Sequence, residues 1–149
     1  MTVILFFTIS FIGKIANKYG SQAVVVSIDY KKIDGGAIVY KDFAKESTGL
    51  TLKEWAIRCK EEGAGELFLN AIDRDGKGNG FDIQNIEMVC QSVNLPVVAC
   101  GGAGEDYDFV ELANKTSVSG LAAGNFFHFT ELSYPRVKKI LKEENINVR

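Results

Sequence analysis

Residues 73–82 read DRDGKGNGFD, with carboxylates at Asp73, Asp75 and Asp82 and three glycines between them. Such a stretch can serve oxygen-liganded cations or, by virtue of its glycines, an anion held on backbone N–H groups. As a calcium loop opening at Asp73 it has carboxylates at positions one and three and a glycine at six. It then places Lys77 at position five, Gly80 where an aliphatic residue belongs and Gln84 in place of the bidentate glutamate. It also follows a strand-like run instead of a helix, so calcium is set aside.

Two further runs suit an anion. ACGGAG (99–104) and AAGN (122–125) each place small residues between an apolar run and a helical segment. Backbone N–H groups at such a turn can face a phosphate, and Gly101, Gly102 and Gly104 allow it a close approach. The alternative for GGAG is a tight turn needing positive φ. Two neighbouring small-residue strand ends match the usual phosphate site of phosphate-binding (βα)8 barrels, which favours phosphate. Asp29 closes the apolar run VVVSID. A carboxylate there can act as general acid or base, or as a helix cap or a partner for Lys31 or Lys32. Asp73 is a second such carboxylate, at the next strand end.

The elements that must position these residues alternate. QAVVVSI (22–28), GELFLNAI (65–72), LPVVAC (95–100) and SGLAAG (119–124) are short apolar runs suited to strands buried on both faces. Leu52, Trp55, Ala56 and Cys59 recur at helical spacing, with Thr51 and Glu54 as a capping box and Gly63 as a stop. Asp82 is placed to cap a helix carrying Ile83, Ile86, Val89 and Cys90. Further helices are predicted over about 105–115 and 134–144, and over 10–20 before the first strand. The order αβαβαβαβα implies parallel strands with right-handed crossovers. The one long connection, 30–50, contains IDGGAIVYKDF, which has hairpin character with a Gly-Gly turn. Four βα units make either half of an eight-stranded barrel or a small open sheet.

A chain of 149 residues with 46% hydrophobic and 24% charged residues and a net charge of −2 suits one soluble domain. The near-neutral balance gives no electrostatic case for nucleic acid, and RVKKILKEEN is a solvated helix face. Three widely spaced cysteines, Cys59, Cys90 and Cys100, offer no metal spacing and suit buried free thiols in a reducing cytoplasm. His128 is the single histidine, so no metal site built on several histidines of one chain is expected. The apolar start, MTVILFFTISFIG, is too short to span a bilayer and lacks the features of a signal peptide. Residues 1–9 are taken as an apolar extension of undefined role, either a buried segment or a non-native start.

GSQAVVVSID, STGLTLKEWAIRCKEEGAGELFLNAIDRDGKGNGFD, LPVVACGGAG and LAAGNFFHF, in that order and with a closing NINVR, resemble the cyclase subunit of imidazole glycerol phosphate synthase. The match covers about residues 10–149. The resemblance implies the C-terminal half, (βα)4, of a (βα)8 TIM barrel with parallel strands, formed by one half-barrel domain over 1–149. It implies a lyase of histidine biosynthesis that needs no cofactor. Ammonia from a glutamine amidotransferase subunit and a bisphosphorylated ribotide substrate give imidazole glycerol phosphate and an aminoimidazole carboxamide ribotide.

Carried over by position, Asp29 resembles one of the family's two catalytic aspartates, and Asp73 an aspartate of its active site. Asp75 and Gly76, Gly102 and Ala103, and Gly124 and Asn125 resemble its second phosphate site. Glu66 falls where the family has a glutamate near the ammonia entrance. The other catalytic aspartate belongs to the first strand of the full barrel, outside these residues. Gly124-Asn125 stands where a serine is common, and Asn70-Ala71 replaces a threonine-serine type pair. Those departures leave open a paralogue associated with sugar amidotransferases of surface-polysaccharide synthesis, or a phosphate-binding half inactive alone. A half-barrel exposes its edges and inner face, so self-association or pairing with another half-barrel is expected, most simply as a symmetric dimer.

Overall fold

The computed structural model describes residues 2–3, 9–42, 44–129 and 133–148. Its parallel core consists of β2 (Val25–Ile33), β5 (Glu66–Ala71), β6 (Val97–Cys100) and β7 (Gly120–Leu121), in that order. All three pairings are parallel, with Val25 opposite Glu66, Leu67 opposite Val97 and Val98 opposite Gly120. The expected α/β architecture with parallel strands is therefore present. The last strand is shorter than its apolar run: residues 122–124 leave the sheet toward the turn.

Each parallel strand alternates, which follows from the two-residue period of side chains along a strand. Val26, Ile28 and Tyr30 of β2, Leu67 and Leu69 of β5, and Val97 and Ala99 of β6 are fully buried. They pack in one core with helical residues such as Ile12, Leu52, Ile86, Phe109 and Val137. The opposite face, carrying Val25, Ser27, Asp29, Glu66, Phe68, Asn70 and Val98, is only half-buried. Burial on both faces, expected from the apolar runs, thus holds for one face of this chain. The other face is the one a closed barrel turns inward.

The helices form where the apolar spacing predicts them. Helix α1 (Ile9–Tyr19) buries Ile12 and Ile15, and α2 (Leu52–Glu61) buries Leu52, Ala56 and Cys59. The α2 capping box is complete: Glu54 N–H donates to Thr51 Oγ1 at 3.2 Å and Thr51 N–H to Glu54 Oε2 at 3.0 Å. Gly63, at φ 101°, turns the chain out of the helix. Helices α3 (Ile83–Val93), α4 (Asp106–Lys115), α5 (Asn125–Phe129) and α6 (Ser133–Glu143) follow β5, β6 and β7.

Two regions differ from the sequence reading. The 30–50 connection is more ordered than a single hairpin. The outer end of β2, β3 (Gly36–Lys41) and β4 (Glu46–Thr51) make a three-stranded antiparallel extension. Ile33 pairs with Gly36, so its first turn is Asp34-Gly35, not Gly-Gly. Inside the apolar start, Thr2–Val3 forms a short strand, β1, parallel to β2 through Thr2–Val25 and Val3–Val26. It occupies the edge of β2 opposite β5, adding a fifth parallel neighbour to the four expected; the remainder of 1–8 lies outside the described residues.

Candidate functional site

A cavity of about 610 Å³ opens beyond the C-terminal ends of β5, β6 and β7. Three turns line it: Asp75 and Gly76 after β5, Gly102 and Ala103 after β6, and Gly124 and Asn125 after β7. The six residues expected to hold a phosphate thus converge on one space. A set of phenylalanines holds the turns from behind. Phe109 of α4 meets Phe81 at 5.5 Å, Phe126 at 5.1 Å and Phe127 at 5.4 Å between ring centroids. Phe81 ends the glycine loop and Phe126 and Phe127 belong to α5, so the cluster fixes all three turns to one helix. Such contacts are worth about 0.5–1.5 kcal/mol each beyond their buried area.

The glycines divide into two groups. Gly102 sits at φ 111°, and a Cβ there would collide with Gly80 O. The two loops are joined at this point, since Gly80 N–H donates to Gly102 O at 2.9 Å. Arg74 fastens the same loop by donating from Nη1 to Gly80 O at 2.9 Å and Asn79 O at 3.3 Å. Close packing of backbone on backbone therefore requires a glycine at 102 whether or not a ligand is bound. Gly124 is the opposite case: a Cβ there would meet nothing within 4 Å.

The amides divide similarly. Gly104 and Glu105 N–H both donate to Asp108 Oδ2, at 2.7 and 2.9 Å, so α4 satisfies its own entrance. Among the described residues, the N–H groups of Gly102, Ala103, Gly124 and Asn125 have no hydrogen-bond acceptor. These turn amides, with Lys77 and Arg136 at the rim, are the donors an anion would find in the cavity.

Asp29 stands outside the cavity lining, on the half-buried face of β2 at the middle of that strand and level with the C-terminal end of β5. Asn70, directly opposite on β5, donates from Nδ2 to Asp29 Oδ1 at 3.0 Å. That bond fixes the orientation of the Asp29 carboxylate through one of its two oxygens. Cys100 is opposite Asn70 on β6 and half-buried, unlike the buried Cys59 and Cys90. Burial, and then the Asp75 carboxylate, raise the Cys100 thiol above its usual range. Burial pushes Cys59 up to about 12 and Cys90 up to about 11.

Asp73 also lies outside the cavity lining. Its Oδ2 accepts from Lys32 N–H at 3.4 Å, tying the glycine loop to the antiparallel extension, while its Oδ1 is buried with no hydrogen-bond partner among the described residues. Asp82 does begin α3, but its side chain does not cap the helix. It is 1% exposed, accepts from Asn85 Nδ2 at 2.7 Å and lies 3.7 Å from Lys32 Nζ. Burial, and then Asp82 and Asp73, hold the Tyr30 phenol in its neutral form well beyond its ordinary range. Glu66 is the first residue of β5, at the far end of the sheet from the cavity.

No motif marked Arg74, Lys77 or Arg136 for the site, and RVKKILKEEN, expected as a solvated helix face, contributes Arg136 to the cavity lining. Arg74 and Lys77 alternate with acidic and glycine residues in a stretch inspected for carboxylates. Arg136 reaches the cavity from α6, more than thirty residues beyond the GGAG turn, and only packing brings it there. Among the described residues, no group of three or more His, Cys, Asp or Glu could hold a metal ion. No described helix is long and apolar enough to cross a membrane.

A family profile described as "Histidine biosynthesis protein" matches residues 3–133. The chain is similar to the protein named "Imidazole glycerol phosphate synthase subunit HisF" from Thermotoga sp. (strain RQ2), at 41% identity over 94% of this chain and 55% of the relative. The proteins of that name from Chlorobium luteolum (41% identity over 93% of this chain and 55% of the relative) and Alkaliphilus metalliredigens (40% over 94% and 56%) are similar to it as well. The chain thus spans about half the length of the curated relatives it matches. Profile and relatives run across the parallel strands and the turns that frame the cavity, and the chain belongs to the histidine biosynthesis protein family.

Proposed function

We propose that this chain supplies the phosphate-binding and acid/base half of a cyclase site, the lyase chemistry of imidazole glycerol phosphate synthase. The observation that carries this reading is the convergence of six residues from three strand-end turns on one cavity, on a sheet that also bears Asp29 near the same end. The turn amides receive one phosphate of a bisphosphorylated ribotide. Asp29, oriented by Asn70, exchanges a proton with the substrate during amination and ring closure. Ammonia from a glutamine amidotransferase enters from the Glu66 end. Asn70 lies four positions along the strand from Glu66, roughly 13 Å at the usual rise. In this reading Asp73 acts at one remove, by fixing the glycine loop to the outer end of β2, the strand that carries Asp29.

The half-buried face carrying Val25, Phe68 and Val98 is covered in the working assembly by another half-barrel or a second copy. A monomer in sedimentation at micromolar concentration would argue against coverage by a second copy. A second reading rests on Asn70, the residue that departs from the family pattern and also the donor to Asp29. A paralogue that delivers ammonia to a sugar amidotransferase could retain the phosphate cavity with altered chemistry at Asp29.

The test is ammonia-dependent turnover of the bisphosphate ribotide by this chain combined with the first four βα units of the Thermotoga relative. Turnover that disappears with Asp29→Asn supports the cyclase reading. Turnover indifferent to that change removes Asp29 from its role, and no turnover by a folded assembly favours the second reading.

A further inference from the structure

Arg136 and Asp106 face each other across the rim of the cavity, both among its lining residues. Arg136 belongs to the first turns of α6 and Asp106 opens α4. Arg136 Nε lies 2.6 Å from Asp106 Oδ2 in an ion pair, and the two side chains are 46% and 19% exposed. The closest approach is through Nε. Arginine–carboxylate pairs frequently adopt a parallel two-bond arrangement. Asp106 Oδ1 is buried and has no hydrogen-bond partner among the described residues, so this pair does not. The Nη groups are therefore not taken up by a second bond to Asp106, at a side chain that lines the cavity.

The charge balance gives that arrangement a use. The lining includes Asp75, Glu105 and Asp106 against Lys77 and Arg136. Without Arg136, three carboxylates would oppose one lysine, and a phosphate dianion on the turn amides would meet net repulsion. We propose that Arg136 is a phosphate-binding residue: Asp106 holds it by Nε, and its Nη groups complete the site for a dianionic phosphate monoester. This inference rests on the phosphate reading of the cavity and names the side chain that supplies its positive charge. Asp106 is then a positioning residue, which keeps the guanidinium over the cavity instead of in solvent.

Calorimetric titration of inorganic phosphate into the full chain separates the possibilities. The wild type binds, and Arg136→Met weakens binding by about 10- to 100-fold, the loss expected for charge-assisted hydrogen bonds. Arg136→Lys recovers part of it. The double variant Asp106→Asn/Arg136→Met remains as weak as Arg136→Met. A double variant that regains wild-type affinity would mean that Arg136 only neutralises Asp106, and Arg136→Met binding like the wild type would likewise overturn the proposal. If a thermal melt shows Arg136→Met unfolded, Arg136→Lys decides: threefold or greater weakening supports the role, unchanged affinity refutes it. Failure of the folded wild type to bind phosphate at all would refute the phosphate reading itself, a result distinct from indifference to Arg136.

Discussion

Replacing Gly102 by alanine perturbs the junction between the glycine loop and the β6–α4 turn. Two costs add. An L-residue at φ 111° is strained by about 1–3 kcal/mol. The new Cβ would also strike Gly80 O, so the loop must move and its 2.9 Å bond from Gly80 N–H to Gly102 O is lost, at about 1 kcal/mol. The total is about 2–4 kcal/mol, or roughly 5–15 °C in Tm for a chain of this size. Gly124→Ala is the control, because a Cβ there meets open space and its φ is not in the left-handed region. Its Tm should stay within about 3 °C of the wild type, with a slight gain possible from the restricted unfolded chain. Paired melts by circular dichroism give the result directly. Equal Tm values for the two variants would refute the division of the glycines into one that packs and one that faces the cavity.

Other consequences are measurable. Arg74→Met removes the donations to Gly80 O and Asn79 O and should lower unfolding free energy by about 1–2 kcal/mol in urea titrations. It should also speed amide exchange across residues 76–80. Stability should fall in alkaline solution. The buried Cys59 thiol is raised from 9.0 to about 12, so the unfolded chain ionises first and the folded state loses ground as pH rises. The contribution is intact below about pH 9 and declines between about 9 and 12, by up to about 1.4 kcal/mol per pH unit for one thiol. Cys59→Ala should give a shallower alkaline slope in the same titrations; an unchanged slope would contradict the assignment.

The parts of this protein legible in its sequence were those set by local rules. Thr51 with Glu54, and Gly63 after α2, act through bonds and dihedrals within a few residues, and both behave as their types require. The positions of the three cavity turns were legible because small residues at the ends of apolar runs mark where strands hand over to helices, although packing alone accounts for Gly102. Strand β4 was not: ESTGLT carries little β-propensity, and it is a strand because β3 offers it an edge. Thr2–Val3 likewise has no period of its own and depends on the free edge of β2. Asp82 occupies the cap position that its type suggests, yet tertiary packing turns its carboxylate to Asn85 and Lys32. At the site, sequence marked the backbone donors and Asp29 but not the cations. Arg136 is invisible to any motif, since its place depends on how α6 lies against α4.

The central claim, that the strand-end turns form a phosphate site on backbone amides, is tested most directly by ¹⁵N–¹H NMR during titration with a phosphate monoester. Saturable shifts concentrated at the amides of Gly102, Ala103, Gly124 and Asn125 are expected. Gly104 and Glu105, already bonded to Asp108, should move less, and Glu66 at the far end of β5 should not move. Shifts centred on Gly104 and Glu105, or on the Glu66 end, or no shifts in a folded chain at tens of millimolar ligand, would contradict it.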